Sequence, residues 1–206
     1  MQGKQPQNGI LPVQYLQQAI HDGAILADQP ITAAQLQPAS LDLRLGIDAW
    51  RVQASFLPGG KMKVADKLAK FAMHKIDLKD GAVLERGCVY IVKLQESLAL
   101  PRDVSAMANP KSSTGRLDIF TRLICDHATE FELVAKGYKG PLYAEISPRT
   151  FSVLVRGGSR LSQLRLRQGQ ATVSDDAMHS LHTNVGLVHG DRDATVDIRD
   201  GVGLTG

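Results

Sequence analysis

Residues 109–116 combine the chemical groups that proteins use to hold anions. The stretch reads NPKSSTGR and contains two cations, Lys111 and Arg116, together with three hydroxyl side chains and Gly115. Pro110 fixes its own φ and favours an extended or turn conformation for the residue before it, and glycine lets the backbone approach a ligand closely. Hydroxyls, backbone N–H groups and fixed positive charge suit phosphate best. The stretch therefore predicts a phosphate site, with a polar surface turn as the alternative.

A glutamate that can exchange protons lies in a second stretch, 137–147, which reads GYKGPLYAEIS. Its alternation assigns one set of side chains to the core, namely Leu142, Ala144 and Ile146. Glu145 falls on the opposite face with Tyr143 and Ser147. A carboxyl group in a partly closed pocket can take a proton and return it, as general acid–base catalysis requires. A glutamate in an ordinary exposed strand pair is the alternative.

Two further stretches complete an ordered set of four: 39–46, which reads ASLDLRLG, and 158–164, which reads GSRLSQL. In this order and spacing the four stretches resemble the deoxycytidine triphosphate (dCTP) deaminase and dUTPase superfamily. That family carries a basic residue, two serines and an arginine, then a Gly-aromatic-x-Gly turn with a strand glutamate, then a Gly-x-Arg-hydrophobic-small-Gln-Leu motif. The strand glutamate is typical of the deaminase branch. The resemblance covers about residues 10–168.

The resemblance implies hydrolytic deamination of dCTP to dUTP and ammonia, in which water attacks C4 of cytosine. Glu145 matches the catalytic glutamate that takes up and returns protons. Ser112 matches the serine that holds the attacking water or assists that glutamate. Arg116 is expected to offset charge that develops in the transition state.

The same resemblance implies how the triphosphate is held. Lys111 and Ser113 are expected to contact the triphosphate, and Gln163 to contact a phosphate or the base. Mg²⁺ is expected to arrive with the triphosphate, bound mainly through the oxygens of the nucleotide. The nucleotides dUTP and dTTP are further candidate ligands. Arg160 matches the third motif, where a structural role is at least as good an interpretation.

The sequence departs from the family pattern in two places that concern the ligand. The family has an aspartate that helps to hold the deoxyribose two residues before the Gly-aromatic turn, and Ala135 stands there. Asp126 and Glu132 are the candidate substitutes, and the sequence does not choose between them. The short deaminases also close over the triphosphate with a C-terminal tail, and nothing after Arg167 resembles that tail.

The pattern of metal-ligating residues favours a reaction without zinc. Zinc deaminases use a His- or Cys-bound metal and a Cys-x-x-Cys pair, whereas Cys88 and Cys125 are far apart and show no metal spacing. These cysteines are typical of buried thiols in a reducing cytoplasm. His179 and His182 lie three residues apart in a stretch predicted to be a polar loop. No third soft ligand accompanies them, so metal binding there is the weaker interpretation.

Composition indicates a soluble globular protein. Of the 206 residues, 43% are hydrophobic and 22% are charged, and the net charge is +3. So small an excess of positive charge does not indicate nucleic-acid binding. The sequence has no transmembrane run, and its opening residues are polar, unlike a signal peptide. We therefore expect a cytoplasmic protein with neither a membrane nor a nucleic-acid partner.

Periodic patterns place these stretches on a framework of strands with short helices. Helices are predicted at 12–22 and 64–73, where apolar residues recur on one face. The alternating stretch 40–45 is predicted to form a half-buried strand on which Asp42 and Arg44 make an exposed pair. From residue 82 onward, short apolar runs are separated by Gly and Pro, which predicts strands at 88–94, 104–108, 117–124, 142–147, 151–155 and 161–167.

Such a succession of short strands indicates an all-β sandwich or barrel. The resembled family has a distorted jelly-roll β-barrel of the dUTPase-like type. It forms trimers in which each active site draws residues from neighbouring subunits. The resemblance therefore implies a homo-oligomer, either a homotrimer or a pseudo-trimer, and closed symmetric oligomers are common.

We predict three regions in the chain. Residues 1–9 form a flexible leader, 10–170 form the β domain, and 171–206 form a linker with the start of a truncated second repeat. Residues 194–201, which read ATVDIRDG, echo the stretch 39–46. A longer, two-repeat branch of the deaminases exists, and its first half resembles this chain. Chance similarity over so short a stretch is the alternative.

Two other functions stay open. The chain is, in one alternative, a non-catalytic half of a two-repeat deaminase that binds nucleotide or builds the oligomer, and the missing tail favours this. In the other it is a dUTPase-type nucleotide triphosphate hydrolase, which uses an aspartate to orient water at the α-phosphate. Ala135 and Glu145 both count against the second alternative.

Overall fold

The computed structural model describes residues 8–169, 173–187, 195–197 and 203–205. The chain divides into two compact units, 1–169 and 170–206. In the first unit, residues 8–169 contain three α-helices, α1 (Val13–His21), α2 (Val64–Phe71) and α3 (Ser112–Arg116), and a 3-10 helix at Ala33–Gln35. Its strands are β1 (Gly9–Ile10), β2 (Ile25–Ala27), β3 (Leu36–Gln37), β4 (Ser40–Leu43), β5 (Leu45–Val52), β6 (Ala72–Asp77), β7 (Ala82–Leu84), β8 (Val89–Ala99), β9 (Val104–Pro110), β10 (Ile119–Cys125), β11 (Leu133–Val134), β12 (Lys139–Pro148), β13 (Val153–Val155) and β14 (Ser162–Gln168).

These strands form two main antiparallel sheets that face each other across one core. The first sheet has the order β11-β9-β14-β4-β3, with β1 added beside β14. The second has the order β10-β12-β8-β5-β6, with β2 added beside β8. Strands β7 and β13 make a separate two-stranded ribbon. The predicted all-β class is confirmed, and the architecture is a distorted jelly roll.

The core consists of the apolar side chains that alternate inward along both sheets. The first sheet contributes Leu41, Leu43, Ala106, Ala108, Leu164 and Leu166. The second contributes Tyr90, Val92, Leu94, Leu123, Leu142, Ala144 and Ile146. Because successive strand residues point to opposite faces, the predicted inward set on β12 lies in this core.

The second sheet is also covered on its outer face. Helix α2 and the segment before it contribute Phe56, Val64 and Leu68 to a second apolar cluster, which contains Ile91 of β8 and Tyr143 of β12. Every residue of β12 from Leu142 to Pro148 is consequently buried. The alternative of an exposed strand glutamate at position 145 is therefore wrong.

The predicted exposed pair of Asp42 and Arg44 is also wrong. Strand β4 ends at Leu43 and a new strand begins at Leu45, so the two residues do not share one exposed strand face. Asp42 is only 1% exposed. Arg44 instead donates from Nε to Glu96 Oε1 at 2.8 Å.

The first helix begins and ends where the sequence predicts. Pro12 occupies the N-cap position, and Gly23, just beyond the C-cap, has a φ of +73°. This left-handed conformation is the one in which glycine commonly ends a helix. Helix α2 is two residues shorter than predicted, because the chain enters β6 directly at Ala72.

The second unit contains helix α4 (Asp175–Val185) and a short ribbon of β15 (Thr195–Asp197) and β16 (Gly203–Thr205). The predicted polar loop around His179 and His182 is thus helical. Ser174 Oγ accepts a hydrogen bond from Ala177 N at 3.3 Å and caps that helix. The other residues of the echo stretch 194–201 lie outside the described residues. None of the described helices has the length and hydrophobicity to cross a membrane.

Candidate active site

The anion-binding stretch joins β9 to α3 and is fastened to the loop before β14. The carbonyl oxygen of Leu161 accepts two hydrogen bonds, one from Lys111 N at 2.9 Å and one from Thr114 Oγ1 at 2.8 Å. The antiparallel pairing of β9 with β14 also sets Asn109 opposite Gln163. These contacts fix the backbone on which Lys111 and Ser112 stand.

A surface cavity of about 380 Å³ opens beside this stretch. Its polar lining includes three of the predicted site residues, Lys111, Ser112 and Gln163, and two residues of β4, Ser40 and Asp42. The hydroxyl of Ser40 donates to Gln163 Oε1 at 3.0 Å, which orients the amide. Residues far apart in the sequence are thus gathered at one edge of the first sheet.

The buried carboxylate of Asp42 forms an ion pair with a cation of this cavity. Asp42 Oδ2 forms an ion pair with the ammonium group of Lys111 and lies 3.6 Å from Arg160 Nη1. The other oxygen of Asp42, Oδ1, is buried without a hydrogen-bond partner. Arg165 also lines the cavity and donates to Asn109 Oδ1 at 2.7 Å. The lining therefore holds two cations, Lys111 and Arg165, against the one carboxylate of Asp42, a balance of charge that suits a phosphate group.

The candidate catalytic carboxylate lies on the outer face of the second sheet. Glu145 of β12 is directly opposite Arg122 of β10. Its Oε1 accepts hydrogen bonds from Arg122 Nη2 at 2.6 Å and from Arg122 Nε at 3.1 Å. The Glu145 side chain is 2% exposed and that of Arg122 is 25% exposed. The second carboxylate oxygen, Oε2, is buried and has no hydrogen-bond partner.

Aromatic rings and a hydroxyl hold the guanidinium of Arg122 in place. Its Cζ lies 3.5 Å from the centroid of the Phe131 ring and 4.8 Å from that of Phe120. Its Nη2 also donates to Ser55 Oγ at 2.8 Å. Arg122 lies in none of the four sequence stretches. The partner of an arginine on a strand is defined only by the register of β10 against β12, which the sequence does not give.

Glu132 lines a second cavity, of about 360 Å³, together with Arg122 and Gly115. Burial raises the pKa of the Glu132 carboxyl group to about 7, although a backbone hydrogen bond at Leu123 and the charge of Arg122 oppose that rise. Glu132 has a φ of +68°, a left-handed conformation that non-glycine residues seldom adopt. Its Oε2 is buried without a partner.

The two candidate substitutes for the family aspartate differ in their surroundings. Asp126 Oδ1 accepts a hydrogen bond from Val64 N at 2.8 Å, which ties it to the first turn of α2. Asp126 lines neither of the two cavities just described, whereas Glu132 lines the second. The geometry therefore favours Glu132 over Asp126 as a carboxyl group that can meet a ligand.

The predicted catalytic residues fall into two groups within this chain. Ser112 lies beside the first cavity, and Ser113 and Arg116 of the same helix are exposed. In residues 8–169, none of the hydrogen bonds or ion pairs joins Ser112 or Arg116 to Glu145. Arg122, the partner of Glu145, lies about 10 Å along β10 from the end nearest α3, at roughly 3.3 Å per residue.

Metal-ligating side chains are scattered in the described parts of the chain. Residues 8–169, 173–187, 195–197 and 203–205 contain no group of three or more His, Cys, Asp or Glu placed to hold a metal ion. Cys125 is buried, and this burial raises the pKa of its thiol to about 12. Cys88 is half-buried, and both cysteines are free thiols.

The first unit thus combines two packed β-sheets with a cationic, hydroxyl-lined cavity and a buried strand carboxylate. The family model described as "2'-deoxycytidine 5'-triphosphate deaminase (DCD) N-terminal domain" matches residues 7–170. The chain belongs to this family.

Individual relatives agree with that family. The dCTP deaminases of Haloarcula marismortui and Halorubrum lacusprofundi are each 33% identical over 132 residues, which is 63% of this chain and 65% and 62% of those proteins. The crystal structure of 2'-deoxycytidine 5'-triphosphate deaminase from Agrobacterium tumefaciens is 51% identical, with a TM-score of 0.82. That match covers 93% of this chain but 59% of the other. The chain therefore spans less than two thirds of each of these three proteins.

Proposed function

We propose that this chain contributes the active-site residues of a dCTP deaminase, which converts dCTP and water to dUTP and ammonia. The observation that carries the proposal is the carboxylate of Glu145, buried on the strand where the family has its glutamate, with Oε2 unpartnered. Such an oxygen is suited to accept and return protons. The names of the three relatives support dCTP as the substrate.

The substrate is proposed to enter as the magnesium complex of dCTP, with the metal bound through triphosphate oxygens. Lys111 and Ser113 are proposed to contact the triphosphate, and Gln163 a phosphate or the base; Lys111 and Gln163 line the 380 Å³ cavity. Ser113 extends the same hydroxyl-rich turn. The ion pair between Lys111 and Asp42 holds the cation at the edge of the cavity in the absence of ligand.

The reaction is proposed to proceed by proton transfer through Glu145. The carboxylate takes a proton from water as the water oxygen forms a bond to C4 of cytosine, and N3 of the ring receives a proton. The proton on N3 comes from Glu145, whose carboxylate then takes the proton of the new C4 hydroxyl group and gives it to the amino group. The C4–N bond breaks as the carbonyl group of uracil forms, ammonia leaves, and Glu145 is again a carboxylate. Ser112 positions the water, and Arg116 offsets charge that develops in the transition state.

We propose that the complete site forms between copies of the fold. In residues 8–169 no hydrogen bond or ion pair joins Ser112 or Arg116 to Glu145, and we propose that a neighbouring copy brings its α3 to Glu145. This favours a homotrimer or a pseudo-trimer, in which every contact supplies one such site. The reaction is proposed to run without zinc, in the cytoplasm, and to supply dUTP to deoxynucleotide metabolism.

A second candidate is a non-catalytic half that binds nucleotide or builds the oligomer. The observation that favours it is the tight cover that Arg122 places over Glu145, whose side chain is 2% exposed. Hydrolysis of the dUTPase type has no such support, because Ala135 stands where an aspartate is expected.

The test is ammonia release from dCTP in the presence of Mg²⁺. We expect release by the parent chain, its abolition in Glu145→Gln, and dCTP affinity within about tenfold of the parent, roughly 1.4 kcal/mol. The matched control is Glu130→Gln, since Glu130 is an exposed glutamate and should have no effect. Binding of dCTP without any ammonia release would support the non-catalytic candidate and overturn the proposed activity.

A further inference from the structure

We propose that Arg122 is a positioning residue for Glu145: it holds Oε1 of the carboxylate, so that Oε2 is the oxygen that exchanges protons with the substrate. This inference rests on the proposed function and adds a residue that the motifs of the chain do not contain. Arg122 lies on β10, outside all four of the sequence stretches that predicted the site.

The two oxygens of the Glu145 carboxylate have opposite surroundings. Oε1 accepts two N–H donors of one guanidinium, at 2.6 and 3.1 Å. Oε2 has no partner, although it is buried. A buried carboxylate oxygen without a hydrogen-bond partner costs stability. Because Oε1 already accepts two hydrogen bonds, we infer that Oε2 is the oxygen that meets a ligand or a proton.

Contacts from several directions restrain the guanidinium of Arg122. An arginine that supplied only positive charge would not require a fixed orientation. The ring of Phe131 lies on its guanidinium, with Phe120 slightly farther away, and Ser55 accepts a hydrogen bond from Nη2. A planar guanidinium can stack on a ring and donate several hydrogen bonds at once, whereas an ammonium group cannot. These contacts fix the direction from which Oε1 is held.

Glu132 is the other carboxyl group that acts on Arg122, across the 360 Å³ cavity that both residues line. Burial raises the pKa of Glu132 to about 7. Among the ion pairs of residues 8–169, the one that Arg122 makes is with Glu145 and not with Glu132.

The experiment compares the steady-state kinetics of dCTP deamination in a set of variants. We expect Arg122→Met to lower kcat by about 100-fold, the effect of a displaced general acid–base group, with KM for dCTP within threefold of the parent. Arg122→Lys keeps the charge but loses the fork, and it should recover about tenfold of that loss. Ser55→Ala, an exposed position, should lower kcat about threefold through loss of one hydrogen bond.

The matched control is Arg51→Met. It deletes another arginine–glutamate ion pair, that of Arg51 with Glu85 at 3.0 Å, in which the glutamate side chain is 59% exposed against 2% for Glu145. We expect kcat within twofold of the parent for this control. Added guanidinium ion should also restore part of the kcat of Arg122→Met, and it should leave the control unchanged.

The outcomes distinguish a failure of the positioning role of Arg122 from a failure of the proposed function. In one outcome, Glu145→Gln abolishes turnover while Arg122→Lys and Ser55→Ala keep the kcat of the parent. This outcome overturns the positioning role and leaves the proposed function standing. A loss that appears in KM, with kcat unchanged, overturns it as well. If Arg122→Met does not fold, Arg122→Lys and Ser55→Ala still decide. A folded parent chain that releases no ammonia overturns the proposed function, and the positioning role falls with it.

Discussion

Replacing Glu132 by glutamine should make the protein more stable at neutral and alkaline pH. Burial raises the pKa of this carboxyl group from 4.5 to about 7 in the folded chain. A carboxyl group with a raised pKa keeps its proton in the folded state while it loses the proton in the unfolded state. The parent protein therefore loses stability as the pH rises from about 4.5 to about 7, and the loss is complete above that range.

The magnitude follows from the interval between those two values. At about 1.4 kcal/mol per pH unit, an interval of this width corresponds to at most roughly 3.5 kcal/mol. Glu132 is only partly buried, and solvent screening reduces the effect, so we expect about 1–2 kcal/mol. Glutamine has nearly the same shape and does not ionise. The variant should thus match the parent near pH 4.5 and exceed it by that amount at pH 8.

Urea unfolding followed by circular dichroism, at intervals from pH 4.5 to 8.5, measures the difference in unfolding free energy between the two proteins. Other titrating groups are common to both and cancel in that difference. Glu130→Gln, an exposed position two residues away, is the control for the loss of a carboxyl group at the surface. A difference between Glu132→Gln and the parent that is constant, or that falls as the pH rises, would refute the reasoning.

Three further predictions concern other parts of the fold. Asp42→Asn removes the buried partner of Lys111 and should lower the unfolding free energy by about 1–3 kcal/mol in urea titrations; an unchanged midpoint would contradict the importance of that ion pair. Burial raises the pKa of the Cys125 thiol to about 12, so iodoacetamide at pH 8 should label Cys88 at least about tenfold faster than Cys125 in the folded protein. Mass spectrometry measures the two rates, which should be comparable in urea. Gly46→Ala places a methyl group 2.6 Å from a backbone carbonyl oxygen of β8 and should lower the melting temperature through a loss of about 1–3 kcal/mol; equal melting temperatures would show that the strands can separate there.

The strands were predictable because their alternation is local. The period-two pattern located β12 and β14 to within a few residues and assigned Leu142 and Leu164 to buried positions, as the structure has them. A strand with one apolar face carries that information in its own sequence. The distorted jelly roll itself came from the resemblance to a family, since alternation alone does not define a topology.

The partners of charged residues were not predictable, because they depend on the register between distant strands. Asp42 was assigned to Arg44, two residues away, but its partner is Lys111, which follows β9, two strands from β4 in the sheet. The face of Glu145 was correct, yet its burial depends on Phe131 and α2, which cover the sheet from outside. A local pattern of apolar residues does not show that other segments cover the outer face of a sheet.

The attachment of the anion-binding turn to the carbonyl oxygen of Leu161 has an evolutionary consequence. A carbonyl group is present whatever side chain stands at position 161, so drift at that position leaves both hydrogen bonds from Lys111 and Thr114 available. The conformation of the turn is thereby insulated from substitutions in the loop that supports it. Among these three positions, Thr114 is the one whose side chain forms an attachment, and its replacement by valine would remove one of the two hydrogen bonds while preserving the volume of the side chain.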